Sequence, residues 1–399
     1  MSKSVTRSVI PESRGAKACR TRSWKPRFLQ AFCNACSSAS REKLQLRENP
    51  VDGKSDSRQR CENLAVRFMK LQRRLRQASE GEGMMKLGLY SVSYAGIWYR
   101  GEALSLPDLI RKARQLGFAG IELDGKRPHG NPMDLDAAAR QEIRRVAAGE
   151  GIEIAAVASN NDFTTPVPDH LEPQILMVRE QIRLTADLGS KILRVFLAWP
   201  GVTTRADGLA HYDVARRRWE EIWRDTTRLE IWQQARAAFR ELARFAEGQG
   251  VVLALQNHGP VIRHHQDVID MVREVGSPAF MACLDAPLMT RQDDDYMRQA
   301  CLAGRGLQVH SHASGEFKRD AKGRVVQYPY RFGEDVPNYP AFVRAMKEIG
   351  YDGYVCFEYC HLALNERNEI QGRDFVDSQA VLFLEYFGEL LRQAERAAA

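Results

Sequence analysis

Four stretches of the chain share one pattern, a short apolar run that breaks off in polar side chains. Residues 251–255 end in Gln256-Asn257-His258 before a Gly-Pro turn, 280–284 end in Asp285, 307–309 lead into His310-Ser311-His312, and 354–357 end in Glu358. Runs of this length and composition predict strands buried on both faces. The same rhythm begins earlier, with strands at 86–92, 120–124, 152–159 and 191–197. Between them lie helical periodicities: one capped by Ser105 with Pro107 in its first turn and closing at Gly117, then 135–148, 173–188, 228–247, 266–275, 296–303, 339–349 and 376–392. Eight strands alternating with eight helices predict a closed (β/α)₈ TIM barrel. A doubly wound open sheet is the alternative, and it would require a Gly-rich phosphate turn after the first strand, which the sequence lacks. The connection 198–224 is long for a compact domain and rich in Trp and Arg, so it is expected to form a lid or rim over the site.

Length and charge divide the chain. Its 399 residues are 44% hydrophobic and 27% charged, the composition of a globular protein, with a net charge of +7. Residues 1–83 hold 19 Lys and Arg against 8 Asp and Glu, a surplus of +11, which leaves the rest at −4. That first segment is poor in apolar residues and is expected to be a largely disordered basic extension, with a barrel domain over 84–399. Within it, Leu64, Phe68, Leu71 and Leu75 recur at helical spacing among basic residues, as in an amphipathic helix. The simpler expectation is an upstream extension, with Met84 or Met85 as the true start; an Arg/Ser-rich transit peptide is a third reading. The mildly acidic remainder argues against a nucleic-acid partner. No apolar run approaches the ~20 residues of a membrane span, and no secretory signal core is present, so a cytoplasmic protein without a membrane partner is expected.

The eight cysteines predict no disulfide framework, since Cys283 and Cys356 lie inside apolar strands. Cys33 and Cys36 have the spacing of half a zinc site, but no matching pair follows.

The chemistry is expected at the strand tips, because ligands of parallel α/β folds bind at the carboxyl ends of the strands. Gln256, Asp285, His310 and Glu358 form an oxygen-rich mixed set, which suits Mn²⁺ first and Co²⁺ or Mg²⁺ as alternatives. Carboxylates closing wholly apolar strands, as Asp285 and Glu358 do, are costly unless used. For Gln256 a plain hydrogen-bonding role at a strand end stays open. Glu122, His258 and His312 are expected as further base or hydrogen-bonding groups. Trp98, Tyr94 and Trp199 are candidates to stack on a sugar ring.

The phrases Gly117-Phe118-Ala119-Gly120-Ile121-Glu122-Leu123, Leu253-Ala254-Leu255-Gln256-Asn257-His258, Leu284-Asp285, Val309-His310 and Gly350 to Glu358 resemble the xylose isomerase-like TIM barrel superfamily, in particular its sugar phosphate isomerase/epimerase group. The resemblance implies a divalent-metal-dependent sugar isomerase or epimerase acting by proton abstraction next to a carbonyl. Its substrate would be a small carbohydrate, and a homo-oligomer is left open. By position it implies Gln256, Asp285, His310 and Glu358 as metal ligands, with Glu358, Glu122 and His258 as catalytic groups. Where the family usually has a Glu at the fifth-strand tip, this chain has Gln256, and an amide cannot take a proton. The departure brings in two alternatives: a lyase eliminating from an oxidised sugar such as an inosose or 3-oxo-glycoside, and a sugar-binding barrel without catalysis.

Overall fold

A computed structural model describes residues 84–199, 201–222, 224–328 and 336–396. The expected basic extension 1–83, its amphipathic stretch and the Cys33/Cys36 pair lie outside the described residues. Eight parallel strands close into a barrel: β1 Lys86–Tyr90, β2 Gly120–Asp124, β3 Glu153–Ala158, β4 Ile192–Val195, β5 Val252–Gln256, β6 Phe280–Cys283, β7 Gln308–Ser314 and β8 Tyr354–Glu358. Each pairs with its sequence neighbours, and β1 pairs with β8 to close the ring. The helices that follow them are α1 Leu106–Leu116, α2 Ala137–Glu150, α3 Pro168–Asp187, α4 Arg228–Gln249, α5 His265–Val275, α6 Asp294–Ala303, α7 Tyr339–Glu348 and α8 Arg373–Arg396. No described helix is long and apolar enough to cross a membrane. The expected (β/α)₈ barrel is the fold found.

Local signals place the helix ends. Ser105 accepts from the Asp108 amide and α1 stops at Gly117, whose φ of 104° suits only glycine well. Helix α3 starts five residues before the expected position, with Pro168 in its first turn and Pro173 inside it. Pro168 costs little, because the first four amides of a helix have no intrahelical partner to lose, whereas Pro173 in the second turn gives up one such bond.

Side chains alternate between two environments along every strand. Leu89, Ile121, Leu193, Leu255 and Phe357 face the helices and belong to the main core. Inside the ring a separate small cluster holds Tyr90, Val92, Ala155, Ala158, Tyr354 and Cys356. The Tyr354 ring fills space that two neighbouring strands leave open. A Cβ at Gly88 would lie 3.1 Å from that ring and 2.6 Å from the Cys356 sulfur. A Cβ at Gly120 would lie 2.8 Å from the Tyr354 hydroxyl and 2.7 Å from the Glu153 carbonyl. The hydroxyl itself donates to Glu153 Oε2 at 2.8 Å.

The connection between β4 and α4 carries a two-residue ladder, Thr203–Thr204 with Ala210–His211, and a helix, Asp213–Ile222. A second hairpin, Glu316–Arg319 with Val325–Tyr328, follows β7.

Gly120→Ala meets backbone that a side-chain rotation cannot clear, so it is expected to cost about 1–3 kcal/mol of stability. Gly149→Ala, on an exposed face of α2 with nothing within 4 Å, is expected to gain up to about 1 kcal/mol. Urea denaturation of the two variants checks the pair, and equal midpoints would contradict the packing described for Tyr354.

Candidate active site

At the carboxyl ends of the strands lies a cavity of about 380 Å³. Its walls come from the barrel and from the β4–α4 connection. Gln256, Asp285, His312 and Glu358 form the polar floor, with Arg194 beside them. Aromatic rings form one side: Trp98 stacks on Tyr212 with centroids 5.6 Å apart, and Phe196 on Trp199 at 5.4 Å. The connection expected as a lid therefore does cover the site. Lys126 and Arg216 bring positive charge to the same cavity.

Asp285 lies two residues beyond the end of β6, and its position is set from both sides. Its amide donates to Asn257 Oδ1 at 2.9 Å, and Asn257 Nδ2 donates to its carbonyl at 3.2 Å. Its Oδ1 accepts from the His312 amide at 2.8 Å and from the Ser311 hydroxyl at 3.2 Å. Its Oδ2 lies 3.1 Å from His312 Nδ1 and also accepts from Gln256 Nε2. Burial acts to raise this carboxyl, but His312 and Gln256 together outweigh it and hold it below the usual range.

Deeper in the ring, Arg194 and Glu122 form a fully buried ion pair. Arg194 projects inward from β4, and its Nε donates to Glu122 Oε1 at 2.8 Å. Its Nη1 donates to Gln256 Oε1 at 2.8 Å. The guanidinium carbon stands 4.8 Å from the centroid of Tyr90 and 4.9 Å from that of Phe196. The other Glu122 oxygen accepts from His310 Nε2 at 3.0 Å and from His312 Nε2. Burial would raise the Glu122 carboxyl; Arg194, His312 and His310 together hold it well below the ordinary value. Burial lowers His310, whereas for His312 the carboxylates Glu122 and Asp285 override burial and raise it well above an ordinary histidine.

Three expectations are changed by this geometry. His310, His312 and Ser314 all face inward from β7, but His312 and Ser314 line the cavity while His310 lies one step deeper against Glu122. His312 is therefore the imidazole beside Asp285, in place of His310. Gln256 does reach the floor, yet its oxygen is turned to Arg194 and its amino group to Asp285, so as a metal ligand it presents the wrong end. Glu122 is wholly buried, bonded through both oxygens and absent from the cavity wall, which removes it as a base acting on substrate.

Asp285 and Glu358 are brought to the cavity as expected, and so is His258. Burial raises the Glu358 carboxyl above its ordinary value. His258 packs edge-on against Phe196 and Trp199, and its Nδ1 lies 2.8 Å from the Gly259 carbonyl. Burial lowers it to about 4, so it is a neutral imidazole at pH 7. Tyr94, a candidate for stacking, is instead buried in the core with its hydroxyl on Asp377 at 2.7 Å. Arg194 was not among the expected site residues. Its signal in the sequence is a charged side chain at an inward position of the otherwise apolar strand Ile192-Leu193-Arg194-Val195.

The donor set fits a divalent ion. Nε2 of His312 faces Glu122 and Nδ1 faces Asp285; an ion beside Asp285 would take the place of the Nδ1 proton and leave Nε2–H on Glu122, the carboxylate–histidine arrangement that orients metal-binding imidazoles. Two ligand atoms about 3 Å apart suit one ion bound at about 2.1 Å from each. Cys283, Asp285 and His312 form one group of close donor atoms, and Glu122, His310 and His312 a second. Burial pushes the Cys283 thiol up to about 12, which favours the oxygen and imidazole donors over sulfur.

Breaking a buried pair strands a charge, so Glu122→Leu and Arg194→Met are each expected to cost about 3–5 kcal/mol. The double variant should lose clearly less than the two losses added together. Chemical denaturation of the four proteins measures the coupling; additive losses would mean that the two groups do not depend on each other.

A family model described as xylose isomerase-like TIM barrel matches residues 110–379. A 2-epi-5-epi-valiolone 7-phosphate 2-epimerase from Actinoplanes sp. is 30% identical over 179 residues, which are 44% of this chain. That match spans about half of the relative, 55% of its length. A fructoselysine 3-epimerase from Shigella flexneri is 22% identical over 71% of this chain and 92% of its own. Among solved structures, a D-psicose 3-epimerase in the presence of D-fructose superposes with a TM-score of 0.57 at 16% identity, covering 77% of this chain and 99% of that one. These relatives are sugar epimerases, and the structural likeness speaks for the fold alone. The family model extends over most of the barrel and includes all the strand tips from β2 to β8; the chain belongs to the xylose isomerase-like TIM barrel family.

Proposed function

We propose that this protein is a divalent-metal-dependent sugar isomerase or epimerase that removes a proton from the carbon next to a carbonyl. The observation that carries this reading is the convergence of Asp285, His312 and Glu358 on one cavity walled by aromatic rings. Asp285, His312 and Glu358 would hold the ion, Mn²⁺ in the first instance, and the ion would supply Lewis-acid polarisation of the substrate carbonyl. Glu358 is the base. A carboxylate raised by burial takes a proton more readily than an ordinary one. Trp98, Phe196, Trp199 and Tyr212 offer apolar faces for the C–H side of a sugar ring and exclude water from it. His258, neutral at pH 7, would act as a hydrogen-bonding group toward the substrate, and the proton held by Glu358 is the one returned to carbon.

Gln256 supports a second reading. Its amide is bonded at both ends and accepts no proton, so the site holds one carboxylate base where a two-carboxylate epimerase holds a pair. One base suffices for β-elimination from an inosose or a 3-oxo-glycoside. The two readings share the first proton transfer and diverge in product.

The test offers the full-length protein with Mn²⁺ in D₂O to ketoses, their phosphates, inososes and 3-oxo-glucosides, and follows deuterium at carbon by NMR. Deuterium uptake with an epimeric or isomeric product is expected; a dehydrated product would select elimination, and no uptake from any sugar would remove the enolising reading. Glu358→Gln is expected to slow uptake by about 10²–10⁴-fold while the thermal midpoint stays close to that of the parent. Chelation should abolish uptake and Mn²⁺ should restore it. Full activity after exhaustive chelation would reject the metal.

A further inference from the structure

The Arg194 guanidinium carries five N–H donors in a rigid planar fork. Nε is held by Glu122 and Nη1 by Gln256, both at 2.8 Å. Nη2 has no acceptor among the described residues, although it is fully buried and Arg194 lines the cavity. The side chain is 1% exposed, so bulk water does not hide the deficit. A charged donor left unsatisfied in such a place is costly, and a fold keeps it where a ligand supplies the acceptor.

Geometry limits what that ligand atom is. Recognition of a carboxylate or phosphate by arginine uses two parallel N–H groups from neighbouring nitrogens. Here the single Nε–H and one N–H of Nη1 already serve protein oxygens, and Nη2 is the one nitrogen of the three with no acceptor among the described residues. The observed vacancy is one nitrogen, which one ligand oxygen can fill. The guanidinium carbon stands over both the Tyr90 and Phe196 rings, and the Glu122 and Gln256 bonds fix the direction of the fork. The donor is therefore in place before any substrate arrives, and such preorganised donors stabilise charge as it forms in a reaction.

We propose that Arg194 Nη2 is an oxyanion donor of this site, receiving the single substrate oxygen on which negative charge develops during enolisation. The inference rests on the carbon-acid reading above. In the step it serves, the substrate C–H bond breaks and its proton passes to the Glu358 carboxylate. The freed electron pair becomes the new C=C bond of the enolate, and the carbonyl π pair moves onto oxygen, where Nη2 donates to it. Reprotonation at carbon reverses the electron flow and releases the oxygen as a carbonyl. Gln256 acquires a role in the same picture: its oxygen holds Nη1 and aims Nη2 without placing a second carboxylate beside a guanidinium that Glu122 already pairs.

Arg194→Lys keeps a positive charge for Glu122 but lacks the third nitrogen. Deuterium uptake is measured with whichever sugar the full-length protein enolises. The variant should lose about 10²–10³-fold in the uptake rate constant at saturation, with KM moving less than about threefold. Methylguanidinium should restore uptake to Arg194→Ala, and methylammonium should not. Uptake by Arg194→Lys within about threefold of the parent, or rescue by both cations alike, would overturn the proposal. If these variants do not fold, the unmodified protein decides through its ¹⁵N-labelled guanidinium resonances. Saturation with the sugar should move the Nη2 protons of Arg194 downfield and leave Nε in place, and an unchanged Nη2 would be fatal to the idea. Failure of the parent to enolise any sugar counts against the underlying reading, whereas an active parent with an indifferent Arg194 counts against this inference alone.

Discussion

The site depends on one buried ion pair, Glu122 with Arg194. A guanidinium and a carboxylate withdrawn from water are tolerable only when each is bonded on nearly every side, and that requirement organises their neighbours. Glu122 takes Arg194 on one oxygen and two imidazoles on the other. Arg194 passes the constraint on to Gln256, whose amide must turn its oxygen inward and its amino group toward Asp285. The chain of bonds thus runs from the second strand through the fourth and fifth to the sixth and seventh. It fixes the orientation of side chains whose backbones are up to 190 residues apart.

Much of this was legible in the chain itself. The eight apolar runs and their intervening helical periods lie where the barrel places them, because a parallel strand buried on both faces needs a continuous apolar run and leaves polar groups only at its tip. Asp285, Glu358 and His258 were legible for the same reason. The choice between His310 and His312 was not. Both face inward, and only the stagger of β7 against β6 and β8, which pairs Cys283 with His310 and Cys356 with His312, decides which one reaches the cavity. Gln256 could be placed but not oriented, since its orientation belongs to a partner 62 residues away. Glu122 looked like a strand-tip base because nothing near it in the chain announces the arginine that neutralises it. The insertion helix Asp213–Ile222 escaped notice because its run of Arg216, Arg217 and Arg218 masks the apolar periodicity.

The electrostatics divide the site by depth. At the bottom, carboxylate and guanidinium cancel and both imidazoles lean on Glu122. Nearer the mouth, Asp285 and Glu358 meet a cavity that also holds Lys126 and Arg216. The cavity thus combines positive charge from Lys126 and Arg216 with a Glu358 carboxylate raised by burial. The aromatic side of the cavity is bound to the barrel as well, since the Tyr212 hydroxyl donates to the Cys360 carbonyl at 2.8 Å just beyond β8.

The origin of the cavity walls has its own consequence. Glu122, Arg194, Asp285 and His312 come from four different barrel strands or their ends, and none can change without disturbing partners on the others. Trp199, Tyr212 and Arg216 all come from a single insertion between β4 and α4. The two halves of the site are therefore unequally free to evolve: natural drift in one contiguous segment of about 25 residues can reshape the cavity while the side chains beneath it are inherited intact.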